Sequence, residues 1–193
     1  MSSTASQVVV AYDLSHSASA ALHRALAVAI RAPFHVLHFV CVIDPHVAVA
    51  GIPATGKIDY RYAERVQRAI GDMITQELRS REVDASVHFF VHARIGKPAD
   101  EILNLAREIG ADLIIIGSKG STGLERLVLG SVSERVVREA GCTVEVARPK
   151  TYGHIDLLNV VEKREPTHAY TRPHRYSYSD KRLTLRPLDW PLY

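Results

Sequence analysis

Cysteine is scarce in this chain of 193 residues, and both cysteines lie in apolar runs. Cys41 stands between Val40 and Val42, and Cys142 comes shortly before Val144. A buried thiol in such a run packs as a small hydrophobic side chain. The sequence therefore argues against a disulfide framework and against a cysteine-based zinc site.

Long apolar stretches and a large excess of one charge are missing as well. No apolar run approaches the roughly 18 residues that a transmembrane helix needs, and Met1–Gln7 resembles no secretory signal. The 24 Lys and Arg residues face 21 Asp and Glu residues, while 47% of the chain is hydrophobic. We therefore expect a folded, soluble, cytoplasmic protein with a sizeable core and no membrane partner.

Residues 151–193 differ in composition from the rest of the chain. They contain Trp190, five of the eight tyrosines and four of the nine prolines, with an excess of basic side chains. We predict a globular domain over residues 1–150 and a basic, aromatic, proline-containing extension over residues 151–193. The extension could wrap a dimer partner, lack a fixed structure or bind nucleic acid, and its many leucines and aromatics favour wrapping.

Five short apolar runs alternate with four amphipathic segments along the first 150 residues. Such runs are typical of strands buried on both faces of a parallel sheet, and the alternation predicts an α/β fold with helices on both faces. The predicted strands are Gln7–Tyr12, His35–Ile43, Ala85–Val91, Asp112–Ile116 and Thr143–Ala147, and the predicted helices are Ser17–Arg31, Ile58–Arg81, Pro98–Glu108 and Ser131–Ala140. Ligands of such sheets bind beyond the carboxyl ends of the strands, where the winding direction reverses.

Two segments after predicted strands have the character of binding loops. Residues 44–57 form a connection of about fourteen residues, which is longer than usual and often functional. After the fourth strand come Gly117 and Gly120, and Gly130 with Ser131 opens the next helix. Glycines let a ligand approach the backbone, and the first amides of a helix favour an anion. Ser131 and Glu134 also have the spacing of a capping box. This segment therefore predicts a phosphate cradle, although it is neither a Walker loop nor a dinucleotide fingerprint.

The spacing Gly-x2-Gly-x9-Gly-Ser resembles that of the nucleotide-binding branch of the universal stress protein family. The resemblance extends to the first strand, which ends in Asp13, and to the segments Ile95–Ala99 and Cys142–Val146, so that it covers about residues 6–148. It departs from the family at Thr143, where a proline is usual, and at Glu145, which interrupts the apolar last strand.

This resemblance implies an open sheet of strand order 3-2-1-4-5 that binds ATP, or another adenine nucleotide such as AMP, with Mg²⁺ beside a triphosphate. It also implies a homodimer through the last strand, Thr143 to Ala147. Residues 151–193 could wrap around this dimer. The implied contacts with the base and ribose are Ala11, Asp13 and Val42, and those along the phosphates are Gly117, Gly120, Gly130, Ser131 and Val132.

Several alternatives remain open at this point. Asp13 could instead be only a cap or turn residue before the first helix, and Ser118, Ser121 and Ser133 are weaker candidates for phosphate contacts or for autophosphorylation. Rapid phosphoryl transfer needs a base or water-positioning residue, metal ligands and often an arginine. Asp13 is the one carboxylate in the matched motifs that is placed for such a role. A nucleotide-dependent stress-response binding module is therefore favoured over a slow ATPase. An adaptor acting through the extension and an adenylating or pyrophosphatase-type enzyme are further alternatives, but the first strand lacks the Ser-Gly-Gly loop of the latter.

Histidine is frequent, with ten residues, and His88 and His92 share one face of the third predicted strand. Four strand residues span roughly 13 Å, whereas the ligands of one zinc ion lie about 2 Å from it. We therefore expect no metal site from this pair.

Overall fold

The computed structural model describes residues 5–31, 34–81, 87–118 and 129–149, together with three short strands at residues 161–163, 174–177 and 183–186. The chain divides into two compact units, Met1–Pro149 and Lys150–Tyr193. Among the helices in these ranges, none is long and apolar enough to cross a membrane.

The first unit alternates strands and helices and confirms the predicted fold class. All strand pairs in its sheet are parallel, and the strand order is β3-β2-β1-β4-β5, as the family resemblance implies. The elements are β1 (Ser6–Ala11), α1 (His16–Arg31), β2 (His35–Ile43), α2 (Tyr60–Ser80), β3 (His88–Ile95), α3 (Pro98–Ile109), β4 (Leu113–Gly117), α4 (Ser131–Glu139) and β5 (Thr143–Ala147).

The core consists of two apolar layers, one on each face of the sheet. In β1, Val8 and Val10 pack with residues of α1 and α2, whereas Val9 and Ala11 pack with residues of α3 and α4. Successive side chains of a strand point to opposite faces, so a strand covered on both sides needs apolar residues at every position. This is why β1 and β2 are nearly unbroken apolar runs in the sequence.

The third strand lies further along the chain than the predicted Ala85–Val91, because it continues from His88 to Ile95. It is an edge strand, and Phe90 on one of its faces is 57% exposed. Polar residues are tolerated on such a face, so the end of the apolar run did not mark the end of the strand. The side-chain amide of Gln67 donates to the carbonyl of Val91 at 2.7 Å, which satisfies a backbone group at the sheet edge.

The bounds of α3 and α4 follow the predictions, but the predicted cap of α4 does not. Pro98 occupies the first turn of α3, and Gly110 ends it in the left-handed conformation with φ of 62°. The predicted capping box at Ser131 is wrong, because the N-cap of α4 is Gly130, which has no side chain. The Gly130 amide donates to the Ser118 carbonyl at 2.8 Å, which fixes the start of α4 one residue earlier than the box requires.

The second unit contains an antiparallel sheet of three strands in the order β6-β7-β8. These strands are β6 (Val161–Lys163), β7 (His174–Ser177) and β8 (Leu183–Arg186). The remaining residues of the extension lie outside the described ranges, so wrapping of a partner by residues 151–193 stays a prediction.

A chain of hydrogen bonds connects β1, β2 and β3 through two imidazoles. His38 Nδ1 lies 3.0 Å from His92 Nε2, and His38 Nε2 lies 2.8 Å from Gln7 Oε1. Gln7 Nε2 donates to the Ala5 carbonyl at 2.9 Å, which identifies Oε1 as an acceptor. His38 therefore carries its hydrogen on Nε2 and accepts at Nδ1 from His92 Nε2–H. Both rings are neutral in this arrangement.

The histidine pair predicts a loss of stability in mild acid. Burial, and then the neighbouring His92, lowers the pKa of His38 from its usual 6.5. Burial, and then Arg94, lowers the pKa of His92, although Glu108 opposes this shift. The unfolded chain therefore binds protons more tightly than the folded chain. As a result, the free energy of unfolding is highest above about pH 6.5 and decreases as the pH falls toward the native pKa values of His38 and His92.

We expect urea denaturation between pH 8 and pH 5 to show this decline, and to show a shallower one for His92→Gln. A variant whose pH profile parallels that of the unaltered chain would show that the pair is not responsible.

Candidate functional site

A cavity of about 440 Å³ lies at the carboxyl ends of β1, β2 and β4. Its volume is within the range of small-molecule sites, which is roughly 300 to 1,000 Å³. The first turns of α3 and α4 complete its walls through Pro98 and Ser131. The cavity is therefore situated where the winding of an open α/β sheet reverses, which is the usual position of a ligand.

Seven of the eight residues predicted to contact a nucleotide line this cavity. They are Ala11, Asp13, Val42, Gly117, Gly130, Ser131 and Val132. Gly120 lies outside the described residues. These positions are widely separated in the sequence and meet because β1 lies between β2 and β4. Their contact with a nucleotide stays a prediction.

One wall of the cavity is apolar. Val40 and Val42 contribute from β2, Ile102 from α3 and Ile116 from β4. Val40, Ile102 and Ile116 also belong to the core layer on the α3 and α4 side, so the wall is held by packing. Such a surface can accept a flat, weakly polar ring.

The turn after β1 gives Asp13 two roles. Its Oδ1 accepts a hydrogen bond from the Ser15 amide at 3.0 Å, and Ser15 Oγ accepts from the Ala18 amide at 3.1 Å. Leu14 between them has φ of 63°, a left-handed conformation that is uncommon for leucine. Leu14 packs against the core, which helps to hold this turn. Asp13 therefore holds a turn before α1 and also lines the cavity, whereas the side chain that caps the first turn of α1 is that of Ser15.

The start of α4 contributes Gly130, Ser131 and Val132 to the wall of the cavity. The first amides of a helix have no partner within the helix, and the helix dipole adds partial positive charge there. This side of the cavity therefore favours an anionic group.

Two serines considered as phosphate contacts have other roles in the structure. Ser133 is buried, and its hydroxyl donates to the Gly117 carbonyl at 2.8 Å, which joins α4 to the end of β4. Ser118 is also buried, and its amide donates to the Ala147 carbonyl at 3.0 Å. Ser121 lies outside the described residues. The hydroxyl of Ser133 is thus engaged in the fold, which argues against its use as a phosphate acceptor.

The loop after β2 adds cavity residues that the resemblance did not indicate. Asp44 and Val47 both line the cavity. The loop is fixed by the buried Tyr62 of α2, whose hydroxyl accepts from the Val49 amide and donates to the Ile52 carbonyl, both at 2.7 Å. The unusual length of this loop was the one signal in the sequence, and it did not identify Asp44.

Charge is unevenly distributed in the described part of the cavity. Within the described ranges, the ionised side chains that line it are those of Asp13 and Asp44, at the ends of β1 and β2. The start of α4 lies at the end of β4. The cavity therefore combines two carboxylates, an apolar wall and a helix N-terminus, which suits a ligand with a ring, hydroxyl groups and an anionic end.

The comparisons with known proteins agree with this architecture. The model of the universal stress protein family matches residues 5–148. A universal stress protein of Methanocaldococcus jannaschii is 34% identical over 110 residues, which cover 57% of this chain and 62% of that protein, so the chain spans less than two thirds of this relative.

Two solved structures share the fold. The universal stress protein UspA from Lactobacillus plantarum matches 76% of this chain and 99% of its own, with a TM-score of 0.58 and 24% identity. The universal stress protein from Archaeoglobus fulgidus in complex with dAMP matches 75% of this chain and 99% of its own, with a TM-score of 0.51 and 22% identity. Because the family model matches most of the chain, this protein belongs to the universal stress protein family.

Proposed function

We propose that this stress-response protein is an ATP-binding regulatory module, which holds the nucleotide in the cavity beyond β1, β2 and β4. One observation carries the proposal: seven residues predicted as contacts from the sequence line a single cavity with an apolar wall and a helix N-terminus. The proposed role is to bind the nucleotide and to change the protein's interactions, with turnover slow or absent.

The two ends of the cavity suggest one orientation of the nucleotide. The base would pack on the apolar wall beside Ala11 and Val42, with Asp13 near the ribose. The phosphates would lie beside Gly130 at the start of α4, where the amides of Ser131 and Val132 favour an anion, since the Gly130 amide already donates to the Ser118 carbonyl. The reverse orientation would place the phosphates on the apolar wall of Val40, Ile102 and Ile116, whose side chains donate no hydrogen bonds.

Magnesium fits the donor set of this cavity. Mg²⁺ prefers oxygen ligands and is usually bound by one or two carboxylates together with phosphates. Asp13 and Asp44 offer carboxylates at the cavity wall, and either could hold the ion. Bound Mg²⁺ would offset the negative charge of a triphosphate.

An adenine nucleotide is also consistent with the fold relative from Archaeoglobus fulgidus, which contains dAMP. ATP, rather than a monophosphate, is the more specific part of the proposal.

The same proposal includes a homodimer through β5, Thr143 to Ala147, which lies at the edge of the sheet. Glu145 in this strand pairs with Arg24 of α1 in the same chain, so its charge is compensated there.

We place the protein in the cytoplasm, since Cys41 and Cys142 are both unpaired.

A thermal unfolding experiment tests the proposed function. A ligand at 100 times its Kd adds about 2.7 kcal/mol to stability, so ATP with Mg²⁺ is expected to raise Tm by several degrees. Inorganic triphosphate with Mg²⁺ is the matched control, because it has the charge of the nucleotide but no group for the apolar wall. An equal shift with both ligands, or no shift with ATP, would contradict the proposal.

A slow ATPase is the second candidate, and Asp44 is the observation that favours it. This residue adds a carboxylate to the cavity where the matched motifs supplied only Asp13. Its Oδ1 accepts from the His46 amide at 2.7 Å, which fixes its position. Release of ADP that disappears in Asp44→Asn, with ATP binding retained, would favour this candidate over a pure binding module.

A further inference from the structure

We propose that His38 and His92 form a binding site for a divalent transition metal ion of the Ni²⁺ or Cu²⁺ class. The two residues lie on neighbouring strands of the sheet, β2 and β3, and neither lines the cavity. The site is therefore separate from the proposed nucleotide function and does not depend on it. Sequence reasoning missed it because it considered His92 with His88 on one strand, whereas the partner comes from the adjacent strand.

The position of the two nitrogens fits adjacent ligands of one ion. His38 Nδ1 and His92 Nε2 are 3.0 Å apart. With metal–nitrogen distances of about 2.0 to 2.1 Å, this separation gives an angle of about 95° at the ion. Such an angle is close to that of neighbouring ligands in square-planar or tetragonal coordination, which is typical of Cu²⁺ and Ni²⁺ with nitrogen and oxygen donors.

The hydrogen-bond chain already orients one ligand for this purpose. Gln7 Oε1 accepts from His38 Nε2–H, and the Gln7 amide is itself held by the Ala5 carbonyl. Nδ1 of His38 is therefore the nitrogen that carries the lone pair, which now accepts the hydrogen of His92 Nε2. Metal-binding histidines characteristically donate their second N–H to a carbonyl or carboxylate in this way, which fixes the tautomer and the ring orientation.

Binding requires a change of tautomer at His92 and a rotation of the rings. The Nε2 atom of His92 now carries the hydrogen that His38 accepts. An ion about 2.0 to 2.1 Å from both nitrogens would lie about 1.4 Å off the line that joins them, so both rings must turn their lone pairs away from that line. The hydrogen of His92 would then be carried on Nδ1, so the ring stays neutral and no net proton is released. Burial keeps the pKa of both imidazoles below its usual value, so both are available as neutral ligands near pH 7.

Water can reach the pair only from the side of His92, which is half-buried, because His38 is only 7% exposed. Phe90 stacks on His38 with ring centroids 5.2 Å apart and is itself 57% exposed, so this face of the edge strand is open to solvent. Within the described residues, no group of three or more His, Cys, Asp and Glu side chains could hold a metal ion. The site therefore has two protein nitrogens with water in the other positions, which makes it an exchangeable site rather than a structural one.

Titration with Ni²⁺ at pH 7.5 tests the proposal, with isothermal calorimetry on the full chain. His92→Asn is expected to lose one equivalent of bound Ni²⁺. His88→Asn is the matched control, because His88 is an exposed histidine on the same strand, and it should bind as the unaltered chain does. The histidines other than His88 and His92 are common to all three proteins, so Ni²⁺ binding by them does not affect the comparison.

A second variant tests the role of Gln7 and does not remove a ligand. Gln7→Ala keeps both imidazoles but releases the His38 tautomer, and loss of such a supporting contact typically weakens metal affinity about 10-fold to 100-fold. In the unaltered chain, Ni²⁺ should perturb the imidazole NMR signals of His38 and His92 before that of His88. Equal Ni²⁺ binding by His92→Asn and the unaltered chain, or perturbation of His88 first, would overturn the proposal.

Discussion

Gly117→Ala is expected to lower the free energy of unfolding by about 3 kcal/mol, although it adds one methyl group. A Cβ at Gly117 would lie 2.7 Å from the Ser17 carbonyl oxygen and 2.8 Å from its carbon. These atoms belong to the backbone in the first turn of α1 and cannot move aside as a flexible side chain would. Overpacking typically costs 1 to 3 kcal/mol, and a backbone neighbour places this substitution near the upper end of that range.

Gly71→Ala is the matched control for this measurement. Gly71 lies within α2, and a Cβ there would meet nothing within 4 Å. Alanine in a helix interior is more favourable than glycine by roughly 0.5 to 1 kcal/mol, so this variant should be slightly stabilised in urea. If Gly117→Ala unfolds at the same urea concentration as the unaltered chain, the close contact between α1 and β4 is wrong.

This close contact also affects how nucleotide binding can be tested. A bulky residue at Gly117 would displace α1 and the turn that contains Asp13, so lost binding would not identify Gly117 as a phosphate contact. A useful variant must change the phosphate end of the cavity without disturbing the fold. Ser131 meets this requirement, because it is exposed at the first position of α4.

Ser131→Glu is expected to weaken ATP binding about 100-fold and to leave stability unchanged or slightly higher. A carboxylate in the first turn of a helix is favourable by about 0.3 to 1 kcal/mol. The same carboxylate would face the phosphates, and at an effective dielectric constant near 20 such repulsion amounts to about 2 to 3 kcal/mol. Equilibrium dialysis with labelled ATP measures the affinity, and urea denaturation measures the stability.

Ser131→Gln separates charge from size in this experiment. Glutamine has nearly the shape of glutamate but no charge, so its effect on ATP affinity should be less than about 10-fold. If both variants bind ATP as the unaltered chain does, the phosphates do not lie at the start of α4. If both lose binding equally, the side chain blocks the cavity and the electrostatic argument fails.

The sheet and its helices could be predicted from the sequence because the determining signals are local. Strands such as β2 are apolar at nearly every position, and Pro98 and Gly110 mark the ends of α3. The strand order came from the family resemblance, which the structure confirms. The edge strand β3 was misplaced because its exposed face tolerates His92 and Arg94, so the apolar pattern ended before the strand did.

The features that sequence reasoning missed depend on contacts between distant segments. The hydroxyl of Ser133 donates to the Gly117 carbonyl, and the hydroxyl of Tyr62 bonds to two backbone groups of the loop after β2. The backbone partners of these two hydroxyls cannot be recognised without the tertiary structure. The pairing of His38 with His92 likewise follows from the register of β2 against β3. A sequence pattern shows which side chains share a strand face, but not which side chain of the next strand lies beside them.

We propose that this chain holds one adenine nucleotide in the cavity beyond β1, β2 and β4. A calorimetric titration of nucleotide-free protein with ATP in the presence of Mg²⁺ tests this binding. We expect saturable binding with one ATP per chain. Absence of saturable binding, with AMP as well as with ATP, would contradict it.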